Sequence, residues 1–177
     1  MSTKAQHDLG LIFSRRSIRV YSPGEVSKDT VTRLLEAAMA APSAMTKDPW
    51  RFVVVREKHS LGQLSATLPG GKMLVTAALG IVVCGDLENA FESNISYLLQ
   101  DCSAATENLL IAANALGLGA CWVGVHPSEE SMRKVRGVLS LPAQVIPVAV
   151  ISLGQPGEQP PARTRFNPHF VHFEKWS

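Results

Sequence analysis

The chain has 177 residues, a formal net charge of +2 and 46% hydrophobic residues. This length suits a single domain, spanning residues 1–177, with a sizeable core. The nearly balanced charge argues against bulk binding to nucleic acid. Charged residues make up only 18% of the sequence, and so low a share indicates that some surface is buried against another subunit.

Three cysteines, Cys84, Cys102 and Cys121, lie in apolar surroundings and lack CxxC spacing. We therefore expect buried, reduced thiols of a cytoplasmic protein. The N-terminus has no apolar signal core. The apolar run 109–125 is interrupted by Asn114 and by glycines, so we expect no membrane span.

Taken in chain order, the hydrophobic periodicity predicts a mixture of helices and strands. Helices are predicted over 5–15, from Ser27 to Pro42, weakly over 60–67, over 72–76, over 94–116 and from Ser128 to Leu139. Strands are predicted over 51–55, 80–84 and 145–153, while 121–125 is a strand or a loop. The apolar strand 80–84 is expected at the centre of a sheet, and Pro147 indicates an edge or a bulge near the start of the last strand.

Two segments carry more apolar surface than we expect one short chain to bury by itself. The helix 94–116 is apolar on most sides, so a subunit partner is its natural cover. Residues 154–161 are rich in glycine and proline and are predicted to form neither a helix nor a central strand. The C-terminal arm 154–177 carries Phe166, Phe170, Phe173 and Trp176. We predict that the arm lies across a neighbouring subunit; the alternative is that it packs back on its own chain.

The densest group of cations is the arginine segment, residues 15–21, with the sequence RRSIRVY. In an extended chain Arg15, Ser17, Arg19 and Tyr21 face one side, and Ile18 and Val20 the other. Guanidinium groups match the oxygens of a phosphate. The segment therefore predicts a phosphate-type site anchored by aliphatic side chains; the alternative is a solvated basic patch.

Common chemical motifs are missing from the sequence. Gly70-Gly71-Lys72 lacks P-loop spacing, and Gly117-Leu118-Gly119 lacks the third glycine of a dinucleotide-binding fingerprint. His169 and His172 are the only closely spaced histidines, so we expect no metal site. A phosphate-type site with few acids or bases points to a cofactor that brings its own reactivity.

Several short motifs together resemble the FMN-dependent nitroreductase family. They are Arg15–Arg19, Ala41-Pro42-Ser43-Ala44, Asp48–Phe52, Lys72-Met73-Leu74, Gly117–Gly124, Gly154-Gln155-Pro156 and Arg163-Thr164-Arg165. Their order and spacing match the family from about Ser14 to Trp176. Each motif is weak alone, but the ordered set is specific at the level of the family.

The resemblance implies an α+β fold with a mostly antiparallel central sheet flanked by helices. It further implies an intertwined homodimer with FMN at the subunit interface and C-terminal arms that reach the other subunit. By position, the residues implied to bind FMN are Arg15, Arg16, Ser17, Arg19, Pro42, Ser43, Ala44, Lys72, Trp122, Val123, Gly124, Val125, Arg163 and Arg165.

These residues take different implied roles. The arginine segment would hold the phosphate, ribityl chain and pyrimidine end, helped by Arg163 and Arg165. Lys72 would lie with Arg19 near flavin N1 and O2. Residues 42–44 would come from the second subunit, and 122–125 would back the ring. The alternatives are a solvated Lys72, a solvated Arg163, and tryptophans that serve only for packing.

The implied activity is hydride transfer from NAD(P)H through flavin N5 to an acceptor such as a nitroaromatic or a quinone, with no side chain as acid or base. Alternatives are another flavin reaction, an FMN-binding protein for storage or sensing, or a phosphoprotein or RNA contact. The chain departs from the family pattern at Ala44, Thr46, Asp48, Pro69 and Gln155. These positions lie on the substrate side, so the acceptor stays open.

Overall fold

The computed structural model describes residues 3–161, 163 and 165–176. Its helices are α1 (Thr3–Ser14), α2 (Lys28–Met39), α3 (Lys58–Thr67), α4 (Ile95–Ala115) and α5 (Glu129–Leu139). Its strands are β1 (Tyr21–Ser22), β2 (Trp50–Val55), β3 (Leu79–Asp86), β4 (Gly119–Gly124) and β5 (Val145–Pro156). Short 3₁₀ helices cover Ala44–Thr46, Lys72–Val75, Leu87–Asn89, Phe91–Ser93 and Pro168–Phe170.

The strands form one sheet in which every pair of named strands is antiparallel. β5 lies in the middle, with β3 on one side and β4 on the other, and β2 pairs with the far side of β3. β1 pairs with the last residues of β5. The predicted antiparallel α+β architecture is therefore confirmed, as is the central position of the strand predicted over 80–84.

Both faces of the sheet are covered by helices. Successive side chains of a strand point to opposite faces, so Ile81 and Val83 pack with α2 and α4. Val82 and Cys84 pack on the other face with α3 and α5. This arrangement explains why β3 is an uninterrupted apolar run: both of its faces lie in a core.

The bulge predicted from Pro147 is present, although β5 is central and not an edge strand. The register between β3 and β5 shifts between Val83 and Cys84, where Val83 pairs with Ala149 and Cys84 with Pro147. The extra residue, Val148, accommodates a proline that cannot donate a ladder hydrogen bond.

The longest helix, α4, matches the predicted range within one residue at each end. Asn94 caps it, since its Oδ1 accepts a hydrogen bond from Ser96 N at 2.8 Å, and Gly117 beyond its end has a φ of 72°. A Cβ on Gly85 would lie only 2.3 Å from Leu98 Cγ. The absence of a side chain there lets α4 approach β3 closely.

The end of β5 corrects the predicted start of the tail. Gly154, Gln155 and Pro156 belong to the strand because β1 pairs with it, with Ser22 opposite Gln155 and Tyr21 opposite Pro156. The extended tail therefore begins at Gly157. Its large aromatic side chains are strongly exposed in the single chain, at 82% for Phe166, 80% for Phe170, 83% for Phe173 and 90% for Trp176.

None of the helices within residues 3–161, 163 and 165–176 combines the length and the apolar character needed to cross a bilayer.

Candidate functional site

The arginine segment leaves α1 and runs along the outer edge of β4. Ser17 forms a parallel bridge with Ala120, and Ile18 N donates to Ala120 O at 2.9 Å. A Cβ on Gly119 would lie 2.8 Å from Ile18 Cγ2, so this glycine allows the close approach. The cations are thereby fixed to the rim of the sheet.

The predicted alternation of the segment is wrong at its end. Tyr21, expected beside the arginines, is buried, and Val20, expected in the core, is 53% exposed. The segment changes neighbour here, from a parallel bridge with β4 to antiparallel pairing with β5. This change breaks the simple period of two.

Tyr21 is the anchor at this point. Its hydroxyl lies 2.7 Å from Ser152 Oγ and donates to Ile18 O at 2.9 Å or Ser152 O at 3.1 Å. Burial raises the pKa of Tyr21 above its usual value, because the interior disfavours the phenolate. The hydroxyl therefore serves as a neutral hydrogen-bonding group under ordinary conditions.

Arginines from both ends of the chain meet in one cleft of about 700 Å³, here called the arginine cleft. The sequence-predicted residues that line it are Arg15, Arg16, Ser17, Arg19, Arg163 and Arg165. Its remaining lining comes from Ile12, Phe13, Glu158, Pro160, Pro161 and Phe166. The structure thus brings five guanidinium groups to one cleft, and such groups match the oxygens of an anion.

The two adjacent arginines at the start of the segment have different partners. Arg15 forms an ion pair with Glu107, with 3.3 Å between Nε and Oε1. Arg16 donates to three main-chain oxygens: Pro161 O at 2.8 Å, Phe13 O at 2.8 Å and Arg15 O at 2.7 Å. Arg16 thus ties the end of α1 to the tail.

Arg19 connects the arginine cleft to two neighbouring hollows. One, of about 480 Å³, is lined by Arg19, Lys72 and residues around Pro69. The other, of about 400 Å³, is lined by Arg19 and by β4 and the residue after it, including Trp122, Val123, Gly124 and Val125. The predicted residues of the ring end therefore lie beside Arg19, as the predicted residues of the phosphate end do.

Trp50 and Trp122 lie in different environments: Trp50 is buried, whereas Trp122 is partly exposed. Trp50 is buried in the core with α2 and α4, so its predicted packing role is confirmed. Trp122 is 36% exposed and lines the hollow formed by Arg19 and β4.

Lys72 is exposed and starts a short 3₁₀ helix.

Pro42, Ser43 and Ala44 line none of these three hollows. They belong to a loop between α2 and β2 that is closed by short hydrogen bonds. Ser43 Oγ donates to Asp48 Oδ1 at 2.5 Å and accepts from Asp48 N at 3.1 Å. Ala44 N donates to Oδ1 of Asp101 on α4 at 2.9 Å.

The same loop holds an unusual backbone. Met45, Thr46 and Asp48 have φ values of 50°, 51° and 48°, a region that non-glycine residues rarely adopt. Met45 is 71% exposed. The loop is bonded to the buried Asp101 through Ala44 N and presents an exposed methionine side chain at its surface.

Two acidic residues of the site were not predicted. Glu158 lines the arginine cleft and accepts hydrogen bonds from the main-chain amides of Arg19 and Val20. Asp101 is buried and holds the 42–48 loop. Both carry a signal in the sequence: Glu158 is the single acid within 154–161, and Asp101 interrupts an apolar helix.

The cysteines offer no nucleophile. Cys84, Cys102 and Cys121 are free and buried, which confirms the predicted burial. Burial raises the pKa of Cys84 and of Cys102 to about 12, and raises that of Cys121 as well. Within residues 3–161, 163 and 165–176 no group of three or more acidic, histidine or cysteine side chains could hold a metal ion.

Comparison with known proteins gives matches over nearly the whole chain. The profile of the Nitroreductase family matches residues 12–69 and 65–155. A protein of Archaeoglobus fulgidus, provisionally named an NADH dehydrogenase/NAD(P)H nitroreductase, is 44% identical over 171 residues, covering 95% of this chain and 98% of that protein.

Solved structures agree with the sequence matches. An FMN-dependent nitroreductase of Clostridium difficile has a TM-score of 0.86 at 31% identity, covering 95% of this chain and 99% of that one. A provisionally named nitroreductase of Desulfovibrio desulfuricans, solved in complex with FMN, has a TM-score of 0.83 at 32% identity, covering 96% of this chain and 98% of that one.

Proposed function

Because this chain belongs to the nitroreductase family, we propose that it is an oxidoreductase that binds FMN and takes reducing equivalents from NAD(P)H. The observation that carries this proposal is the arginine cleft, which joins cations from both ends of the chain. The names of the similar proteins, which include an FMN-dependent nitroreductase and an NAD(P)H nitroreductase, support the same cofactors.

The residues present fit FMN in their chemistry. The arginine cleft supplies Arg15, Arg19, Arg163 and Arg165 for the phosphate, with the Ser17 hydroxyl as a further donor. Arg16, whose guanidinium donates to carbonyl oxygens, would act by fixing the tail. The hollows beside Arg19 would take the ring, with residues 122–125 behind it.

When bound, FMN supplies the chemistry of accepting a hydride from NAD(P)H and passing it to an acceptor at N5. The chain provides position and charge. Lys72 and Arg19 would place positive charge near flavin N1 and O2, where reduction adds negative charge. The apolar strand β4 would exclude water from one face. No side chain is assigned as a general acid or base.

We further infer a homodimer in which each cofactor site is completed by the second subunit. Residues 42–44 lie on a loop bonded to Asp48 and Asp101 and do not line the arginine cleft of their own chain, so we propose that they meet the flavin of the partner. The exposed aromatic side chains of the tail, Phe166, Phe170, Phe173 and Trp176, would be covered by the partner's surface. Burial of four such side chains strongly favours association.

The acceptor is proposed as a nitroaromatic or a quinone. A cytoplasmic location is proposed on the buried, free cysteines. The chain is proposed to need no nucleic-acid partner, because its net charge is small, and no membrane partner, because its apolar run 109–125 is interrupted by Asn114 and glycines. An alternative with the same cofactor is a storage or sensing protein that does not turn over.

Anaerobic mixing of the FMN-loaded protein with NADH or NADPH tests the proposal. Rapid bleaching of the flavin band, followed by recovery on adding a quinone or a nitroaromatic, is the expected result. A protein that binds FMN but is bleached by neither nicotinamide would be a binding protein. A protein that binds no FMN, but binds RNA with strong salt dependence, would overturn the cofactor itself.

A further inference from the structure

We propose that Glu158 is a positioning residue that fastens the start of the tail to the arginine segment and so shapes the arginine cleft. The inference rests on the proposed binding of the FMN phosphate in that cleft. Glu158 lies two residues after the end of β5 and lines the cleft. It is the acidic side chain among the cleft's five arginines.

One oxygen of Glu158 holds two main-chain amides. Its Oε1 accepts from Arg19 N at 2.5 Å and from Val20 N at 3.0 Å. Beside it, Gly157 N donates to Val20 O at 2.8 Å. These bonds continue the pairing of β1 with the end of β5, so the carboxylate takes over where the backbone ladder ends. The main-chain amides of Arg19 and Val20 are thereby satisfied by the carboxylate.

The tail lies directly against the arginine segment at this point. A Cβ on Gly157 would lie 3.1 Å from Ser22 N and 3.2 Å from Val20 Cγ1. Pro160 and Pro161 then restrict the backbone, and Pro161 O accepts from Arg16 Nε at 2.8 Å. The tail is thus held at Glu158 and again at Pro161, immediately before its two arginines.

A carboxylate among arginines could instead compete with phosphate for the cleft. The contacts favour the positioning role, because the hydrogen bonds of Oε1 go to main-chain amides of the arginine segment. A group that occupied the phosphate position would be bonded to the guanidinium groups. The negative charge is therefore incidental to the fastening, and the oxygen acceptor is the part that matters.

This distinction can be tested with two substitutions. Both bonds use the same oxygen, so Glu158→Gln can keep them while it removes the charge, whereas Glu158→Ala loses them. Affinities for FMN and for riboflavin, which lacks the phosphate, are measured by flavin fluorescence. Glu36→Ala on the exposed surface of α2 is the matched control.

We expect Glu158→Ala to weaken FMN binding about tenfold, since an unfastened tail must be ordered on binding, with a smaller change for riboflavin. Glu158→Gln should bind FMN as tightly as the wild type or more tightly. The proposal is overturned by three results: tighter FMN binding in both variants, equal loss of both flavins in Glu158→Ala, or no rescue by Glu158→Gln.

Hydrogen exchange separates this inference from the proposed function. In the flavin-free protein, Glu158→Ala should speed exchange at the amides of Arg19 and Val20, and Glu158→Gln should not. If exchange is faster in Glu158→Ala but the wild-type protein binds no FMN, the proposed function is wrong and the role of Glu158 in fastening the tail stands. If exchange in Glu158→Ala is unchanged and the wild-type protein binds FMN, the fastening role is wrong and the proposed function stands.

Discussion

Arg19 is the residue whose removal should affect cofactor binding most directly, because it lines the arginine cleft and both neighbouring hollows. Its guanidinium donates a long hydrogen bond to Ser17 O, at 3.4 Å. Arg19→Ala therefore removes few internal contacts, and its main effect should fall on the ligand.

The size of the effect follows from the exposure of Arg19. A hydrogen bond to a charged group contributes about 1.5–3 kcal/mol, and the lower end applies because solvent screens an exposed side chain. We therefore expect the dissociation constant of FMN to rise about tenfold in Arg19→Ala. If a second subunit closes the cleft and excludes solvent, the upper end of that energy range applies, and the dissociation constant of FMN should rise about a hundredfold.

The assay is a fluorescence titration of flavin-free protein with FMN and with riboflavin. Arg33→Ala, on the exposed face of α2, is the matched control for loss of one surface arginine. If Arg19→Ala bound FMN as tightly as Arg33→Ala does, the assignment of the phosphate to the arginine cleft would be refuted.

Three further predictions concern stability and assembly. Tyr21→Phe should lower the free energy of unfolding by about 1–3 kcal/mol in urea titrations, since it removes the 2.7 Å partner of the buried Ser152 hydroxyl and leaves it a long bond of 3.5 Å to Cys121 O; because burial raises the pKa of Tyr21, wild-type stability should fall as pH rises above about 10 while the variant falls less. Asp101→Ala should cost about 1–3 kcal/mol by leaving Ala44 N without its acceptor, and Asp101→Asn should recover most of it; equal losses in the two variants would show that the hydrogen bond is not the cause. Deletion of residues 163–177 should weaken the dimer in sedimentation experiments, and a truncated protein that stays fully dimeric at low concentration would remove the proposed role of the tail.

The main helices and strands could be predicted because residues close to their ends in the sequence mark where they begin and end. α4 runs over Ile95–Ala115, close to the predicted 94–116, since Asn94 and Gly117 mark its ends in the sequence. The uninterrupted apolar residues of β3 predict its interior position in the sheet, because both faces of such a strand must be buried. Pro147 indicates the bulge because a proline has no main-chain N–H to donate to the neighbouring strand, whatever its surroundings.

The errors arise where distant parts of the chain decide the structure. β5 extends through Gly154 to Pro156 because the two-residue strand β1 pairs with it, and no local pattern marks so short a strand. Tyr21 is buried because Ser152, far along the chain, provides its hydrogen-bond partner. A period-two pattern does not contain that information.

In the candidate site, too, some residues could be predicted from local sequence, whereas others depend on contacts with distant parts of the chain. The arginines at both ends were identifiable by their chemistry, and the structure brings them to one cleft. Glu158 was missed because its role depends on the path of the tail past Arg19 and Val20. Asp101 was missed because an acid in an apolar helix gains its meaning only when the 42–48 loop folds against it.

The most direct measurement is a crystal structure of the protein with FMN bound. We predict a dimer in which the phosphate lies within hydrogen-bonding distance of Arg19 and Arg165 of one chain, while Ser43 of the partner subunit approaches the isoalloxazine ring. A monomer with FMN fully enclosed, or a phosphate bound away from the arginine cleft, would contradict it.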